Sequence, residues 1–200
     1  MRGRLVQLYL GLALYGFSSS LLVLAGLGLG PWDVFHQGLS KHTGLAIGTW
    51  AILVGLVVLL FWIPLRQRPG IGTVSNVVCV GGTMDLVLGH WSPPHGLAVR
   101  IVFLVGGVLL NGVATGMYIG AGLGPGPRDG VMTGLAKRGL SIRVARTSIE
   151  LTVLVIGWLL GGTVGVGTVL YALGIGPLAH VFLPVFSRER APAAPVLEGN

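Results

Sequence analysis

The stretch GLGPWDVFHQGLSK, residues Gly28–Lys41, returns further along the chain as GLGPGPRDGVMTGLAK, residues Gly122–Lys137. Letter by letter, Gly28, Gly30 and Pro31 match Gly122, Gly124 and Pro125 at an offset of 94. Asp33 matches Asp129 at an offset of 96, so the second copy reads as if two residues were inserted around GPR. Gly38, Leu39 and Lys41 then match Gly134, Leu135 and Lys137, and GIGTV at Gly70 matches GVGTV at Gly165. Gly81 and Leu88 pair with Gly176 and Leu183 at the same offset of 95. Scattered matches at a nearly constant offset are more than shared apolar composition produces, and they mark an internal duplication.

The duplicated unit is a membrane unit. Only 10% of the 200 residues are charged and 52% are hydrophobic, where soluble domains carry about a quarter charged residues. The run LAIGTWAILVGLVVLLFWIPL, Leu45–Leu65, holds no charge and reaches the roughly 20 residues that cross a bilayer as a helix. Glycine, at 35 residues, is more than twice its usual share of about 7%. In lipid, small residues let helix backbones approach, because packing drives helix association there. The lone Cys79 lies in an apolar segment and has no partner for a disulfide or metal spacing, so it reads as a small packing residue. A net charge of +7 would suggest nucleic acid in a soluble chain, but the cations here sit between apolar runs, which argues for membrane loops and against nucleic acid.

Six spans follow: Leu5–Leu27, Leu45–Leu65, Ile71–Gly89, Leu97–Ala121, Val144–Val164 and Gly165–Phe186. The first follows MRGR, yet it outruns a signal-peptide core of about 7–15 residues and no small-x-small site follows it, so it is read as retained. Arg2, Arg4, Arg66, Arg68, Arg128, Lys137, Arg138, Arg143, Arg188 and Arg190 all fall on one side of a six-span chain. The positive-inside bias makes that side cytoplasmic, with both termini within. Arg100, just inside the fourth span, is the one misplaced cation. Trp32, Trp50 and Trp91 on one face and Trp62 on the other read as interfacial belts.

Three spans per copy force the second copy upside down. The expectation is an all-α polytopic bundle of six transmembrane helices in two inverted repeats, at about 5–89 and 97–186, within one domain of residues 1–186. A disordered cytoplasmic tail follows at 187–200. Inverted repeats are common in secondary transporters, whose sites lie between the repeats near glycine- and proline-broken segments. Here those segments are the two GLGP connectors with the short helical patterns after them. Pro31 and Pro127 suit a first helical turn, and Asp33 and Asp129 suit the positive end of the helix dipole. The same helix start also binds anions, with Arg128 assisting in the second copy.

Charged residues inside spans are the other candidates for a solute or ion pathway. Asp85 lies in the third span and its repeat partner is His180. Arg146 and Glu150 are four apart and share a helix face, where they pair structurally or make Glu150 the titrating group of a relay. Asn76 and Tyr171 are repeat equivalents one turn into the two GxGTV helices, and Asn111 and Tyr118 add polar groups. No HExxH, GxSxG, paired-carboxylate or Cys/His pattern is present, so the sequence points away from an enzyme, a metal or a cofactor.

At GLGPWD, GIGTV, RTSIELTVLVIGWLLGG and GVGTVLYALGIGPLAHVFL, the chain resembles the YczE/YyaS/YitT group of bacterial integral membrane proteins. The resemblance runs to about Phe186 and is stronger in the second half. It implies a small bundle in a bacterial plasma membrane. Larger YitT-type members add a soluble C-terminal domain, in place of which this chain has SRERAPAAPVLEGN. The expected partners are the lipid bilayer, an unidentified small solute and, for so small a chain, a second copy of itself. The leading expectation is a transporter or exporter of a small solute. A non-transporting scaffold or regulator, or the substrate-binding membrane component of a larger transporter, is the alternative.

Overall fold

The computed structural model describes residues 1–187; the tail read as disordered lies, from residue 188, outside the described residues. Among the described residues the chain is all-helical, in the order α1 (Arg2–Ala25), α2 (Pro31–Thr43), α3 (Ile47–Leu60), α4 (Ile71–His90), α5 (Leu97–Gly120), α6 (Pro127–Ala136), α7 (Ile142–Leu159) and α8 (Val166–Phe186). Four of these, α1, α4, α5 and α8, are long and apolar enough to cross a membrane. A fifth crossing is available if α2 and α3, bent by 113° at their junction, act as one broken span. Length and composition thus support four or five of the six spans read from the sequence. The expected span 45–65 contains a helix of 14 residues, about 21 Å long against a hydrocarbon core of about 30 Å. The expected span 144–164 contains α7, which carries Arg143, Arg146 and Glu150 within 18 residues.

Two pairs of helices form the frame. Tyr9 of α1 meets Ser75 of α4, and Gly16 meets Val80 and Thr83, so α1 and α4 run parallel. In α5, Gly112, Gly116 and Gly120 lie against Leu178, Phe182 and Phe186 of α8, again in parallel. The two pairs join through α1 and α5, which are antiparallel: Gly11 lies against Met117 and Tyr118, and Gly107 against Ser18 and Leu22. A Cβ at Gly11 would lie 2.9 Å from Met117 Cβ, so these glycines set the helix separation, as small residues do in lipid. Leu8, Leu12 and Met84 fill the core on one side of this seam, and Leu22, Leu29 and Val34 on the other. The outer faces expose Leu86, Val102, Leu151, Leu173 and Val181, a surface suited to lipid tails.

Both ends of the α1–α5 seam are closed by an arginine. Arg4 donates from Nε to the Ala121 carbonyl at 2.7 Å and from Nη2 to Gly122 at 2.9 Å. Arg100 donates from Nε to Ala25 at 2.6 Å and from Nη2 to Gly26 at 2.9 Å. Each satisfies the orphan carbonyls and the negative dipole end of the other helix. Arg100, misplaced when charges are merely counted along spans, is the counterpart of Arg4.

Those end glycines correct the register of the repeat. Gly26 and Gly122 have φ of 61° and 62°, and Gly28 and Gly124 have 118° and 125°. Gly30 and Gly126 cap α2 and α6, whose first residues are Pro31 and Pro127. The connectors thus correspond at an offset of 96, the offset that also relates Arg4 to Arg100. Letter matching at 94 pairs the wrong residues: Pro127, not Pro125, is the counterpart of Pro31, and there is no two-residue insertion. Backbone conformation decides this, because positive φ is costly for any residue but glycine.

Two tryptophans read as interfacial are buried. Trp62 is 2% exposed and donates Nε1–H to the Pro127 carbonyl at 2.8 Å, closing the space beside Gly130. Trp32 is 9% exposed. Trp91 is exposed, as a belt residue would be.

Candidate functional site

The connectors do not pass over the surface; each is laid across the first turn of a GxGT helix from the other half of the chain. Gly167 N–H donates to the Leu27 carbonyl at 2.8 Å, and Gly72 N–H to the Leu123 carbonyl at 2.9 Å. Within each GxGT turn the threonine hydroxyl accepts the N–H three residues earlier, Gly70 to Thr73 and Gly165 to Thr168, both at 3.2 Å. The contact leaves no room for a side chain. A Cβ at Gly28 would lie 2.7 Å from Gly165 N and 2.8 Å from Thr168 Oγ1, and one at Gly124 2.8 Å from Thr73 Oγ1. The two motifs most visible in the sequence are the two sides of one joint, present twice.

This joint brings the starts of α2 and α6 to a common cavity of about 170 Å³. Gly30–Asp33 line it from one half and Gly126–Asp129 from the other. Tyr171 packs against Gly30, and Asn76 lies beside Gly126, so these repeat equivalents stand at the two helix starts. Asp33, Asn76, Arg128, Asp129, Arg146, Glu150 and Tyr171 all line the cavity. Sequence reasoning named these seven, and the fold assembles them from α2, α4, α6, α7 and α8.

Two predicted residues lie elsewhere. Asp85 accepts hydrogen bonds from Gly48 N–H at 2.6 Å and Thr49 Oγ1 at 2.7 Å, so it caps the start of α3 from the neighbouring helix. Its repeat partner His180 is exposed. Glu150, read from its place in the span as deeply set, is 32% exposed and pairs with Arg146 at 2.9 Å; Arg146 is 49% exposed. The predicted pair forms at the open side of the cavity.

Within the cavity the charges are unequally satisfied. Tyr118 donates its hydroxyl to Asp129 Oδ2 at 3.1 Å. The Arg128 guanidinium lies 4.5 Å from the centre of the Trp32 ring, a cation–π contact. Asp33 is buried, and His36 Nδ1 lies 3.6 Å from its Oδ1. Deeper in, Tyr171 donates to Asn111 Oδ1 at 3.1 Å, Asn111 donates to Ser18 Oγ at 3.0 Å, and the Tyr15 and Tyr171 hydroxyls are 3.5 Å apart. Next to the main cavity is a water-sized one of about 30 Å³, bounded by Trp32, His36, Asn76 and Arg128 among others. His36 is fully buried; among the described residues both its ring nitrogens, like Trp32 Nε1, have no hydrogen-bond partner. Among the described residues no group of three His, Cys, Asp or Glu side chains is placed to hold a metal.

Sequence reading missed Tyr15, Thr115 and His36, and misplaced Trp32. The signal for Trp32 was available in the correct register, where it is the counterpart of Arg128. His36 stands where the second half has Met132, so the repeat could not flag it.

The profile of DUF6198, a family of unknown function, matches residues 3–184. A Haemophilus influenzae "Uncharacterized protein" is 41% identical over 182 residues, covering 90% of this chain and 84% of that protein. The Bacillus subtilis "Uncharacterized membrane protein YczE" is 37% identical over 182 residues, covering 88% and 83% respectively. The Bacillus subtilis "Uncharacterized protein YyaS" is 28% identical over 187 residues, covering 90% and 92%. The expected resemblance to YczE and YyaS is borne out. No solved structure gives a significant match.

Proposed function

The chain belongs to DUF6198, a family of unknown function, and on that premise we propose that it is a small-solute transporter of the bacterial plasma membrane. In this reading the halves are inverted repeats, both termini are cytoplasmic, and the solute binds in the 170 Å³ cavity. One observation carries it: the starts of two short helices, one from each half, open on the same cavity. Broken helices whose N-terminal ends point at a central site, at the junction of two repeats, are a recurring construction of secondary transporters.

The packing supports an alternating mechanism. α2 packs on α7 and α3, and α6 packs on α7 and α3, with Trp62 in the turn after α3 set against Gly130. Each short helix is thus tied to both halves, so rocking of the halves would shift the cavity walls, while the α1–α5 seam holds the halves together. The connectors tolerate an irregular backbone because they are enclosed by protein, the condition under which such segments occur at membrane depth. The cavity residues serve as ligands and gates, with no catalytic role.

Thiol accessibility tests this without knowing the solute. Cys79 is replaced by alanine, and single cysteines are placed at Ser40, Ala136 and Thr115. Ser40 is expected to label from outside and Ala136 only from inside. Thr115, on the cavity wall, is expected to label from both sides, as a site with alternating access must. Labelling of Thr115 from one side alone would make the chain a fixed receptor or scaffold. Labelling of Ser40 and Ala136 from the same side would remove the inverted topology.

A further inference from the structure

The ligand class of this site follows from which of its groups already have partners. Three carboxylates and two guanidiniums line the cavity. Glu150 and Arg146 satisfy each other at 2.9 Å, and Asp129 takes the Tyr118 hydroxyl. That leaves one anion and one cation without a hydrogen-bonded partner, Asp33 and Arg128. Among the described residues, the partner found for the Asp33 carboxylate is His36 Nδ1, at 3.6 Å. Arg128 has the face of Trp32 and, among the described residues, no hydrogen bond to protein. They do not pair with each other, although both belong to the same cavity.

We propose that the cavity binds a small zwitterion, an amino acid or betaine carrying one carboxylate and one ammonium group. The ligand carboxylate meets Arg128 and the start of α6, where the guanidinium fork and the helix dipole act together. The ammonium group meets Asp33 among the rings of Tyr15, Trp32 and Tyr171, the surroundings in which cations are held by carboxylate and aromatic faces. A purely anionic ligand would face Asp33, Asp129 and Glu150. A purely cationic one would set a second positive charge beside the half-buried Arg128, with no counter-ion for it, which is costly in a low dielectric. The volume agrees: a cavity of about 150 Å³ holds a molecule the size of benzene, so this one takes a short-chain amino acid and excludes a peptide. Trp32 Nε1, unpartnered on the wall shared with the smaller cavity, supplies a further donor for a carboxylate or its water.

The inference rests on the transporter reading only for the place of the site, and its test needs no transport. The full chain in lipid nanodiscs is titrated with glycine betaine, L-proline and L-threonine, and with choline, butyrate and glucose, following its unfolding temperature and heat of binding. At least one zwitterion is expected to bind saturably, with choline, butyrate and glucose at least tenfold weaker. Asp33→Asn and Arg128→Gln should each weaken that zwitterion by about ten- to a hundredfold, the loss of one charge-assisted contact. Arg128→Gln should at the same time bring choline within reach of the zwitterion, a reversal of preference that mere loss of structure cannot produce. Equal binding of choline or butyrate to the unmodified chain overturns the proposal, and so does the absence of binding by all three zwitterions. Neither failure touches the Thr115 labelling result, so the site chemistry and the transport reading fail separately.

Discussion

The two connectors, residues 26–33 and 122–129, share a backbone and differ in the side chains they carry. Glycine conformations agree at Gly26 and Gly122 and at Gly28 and Gly124, the proline-led helix starts agree, and so do the hydrogen bonds to Gly167 and Gly72. Yet the second residue of the helix is Trp32 in one and Arg128 in the other, and the sixth is His36 in one and Met132 in the other. The first connector presents aromatic and buried polar groups to the cavity, and the second presents a cation. The joint is conserved between the halves because its geometry allows only glycine. The residues that face the cavity are free to diverge, and divergence there is what equips a site.

If the joints are equivalent, breaking either should have the same large effect. Gly28→Ala and Gly124→Ala each force a side chain into a left-handed residue with backbone within 3 Å or so. Each is expected to cost about 2–4 kcal/mol, visible as similar drops in unfolding temperature in nanodiscs; a large drop for only one would end the equivalence. Next come the seam arginines. Arg4→Gln and Arg100→Gln should each cost about 1–2 kcal/mol, with the double substitution additive because the sites lie at opposite ends of two long helices. A strongly non-additive double variant would show that the seam opens as one unit. The comparison sharpens at Asp85 and His180, which occupy equivalent places in α4 and α8 but do different things. Asp85→Asn removes a charge-assisted cap and should cost about 1 kcal/mol, whereas His180→Ala, at an exposed position, should stay within about 0.5 kcal/mol.

How far the sequence could be read follows the same division. The four long apolar helices were legible because nothing but lipid and small-residue packing shapes them, and their observed ends fall close to the expected ones. The short elements were not, because α3 stops after 14 residues and Phe61–Arg66 form turns, a change of backbone that uniform hydropathy conceals. Five of the seven site residues were legible since charges in an apolar chain stand out, and Asn76 and Tyr171 because they hold equivalent places in the two GxGTV helices. Tyr15 and Trp32 look like packing and belt residues until the fold turns them inward. The register error arose because GLGP is a stronger string than the pattern of positive φ that actually repeats.

The meeting of Trp32 with Arg128 has a consequence for how such a chain arises. By the register of the connectors these are the same position, and they touch each other. They therefore stand on or beside the axis that relates the halves under the proposed duplication. Had the halves been separate, identical subunits joined by an isologous interface, that position would have faced its own copy: two indoles, or two guanidiniums repelling across a buried gap. A heterotypic stack there requires two independently mutable codons in one reading frame. Fusion of the halves thus does more than fix stoichiometry: it permits symmetry to be broken at the one place where a symmetric assembly is least able to vary.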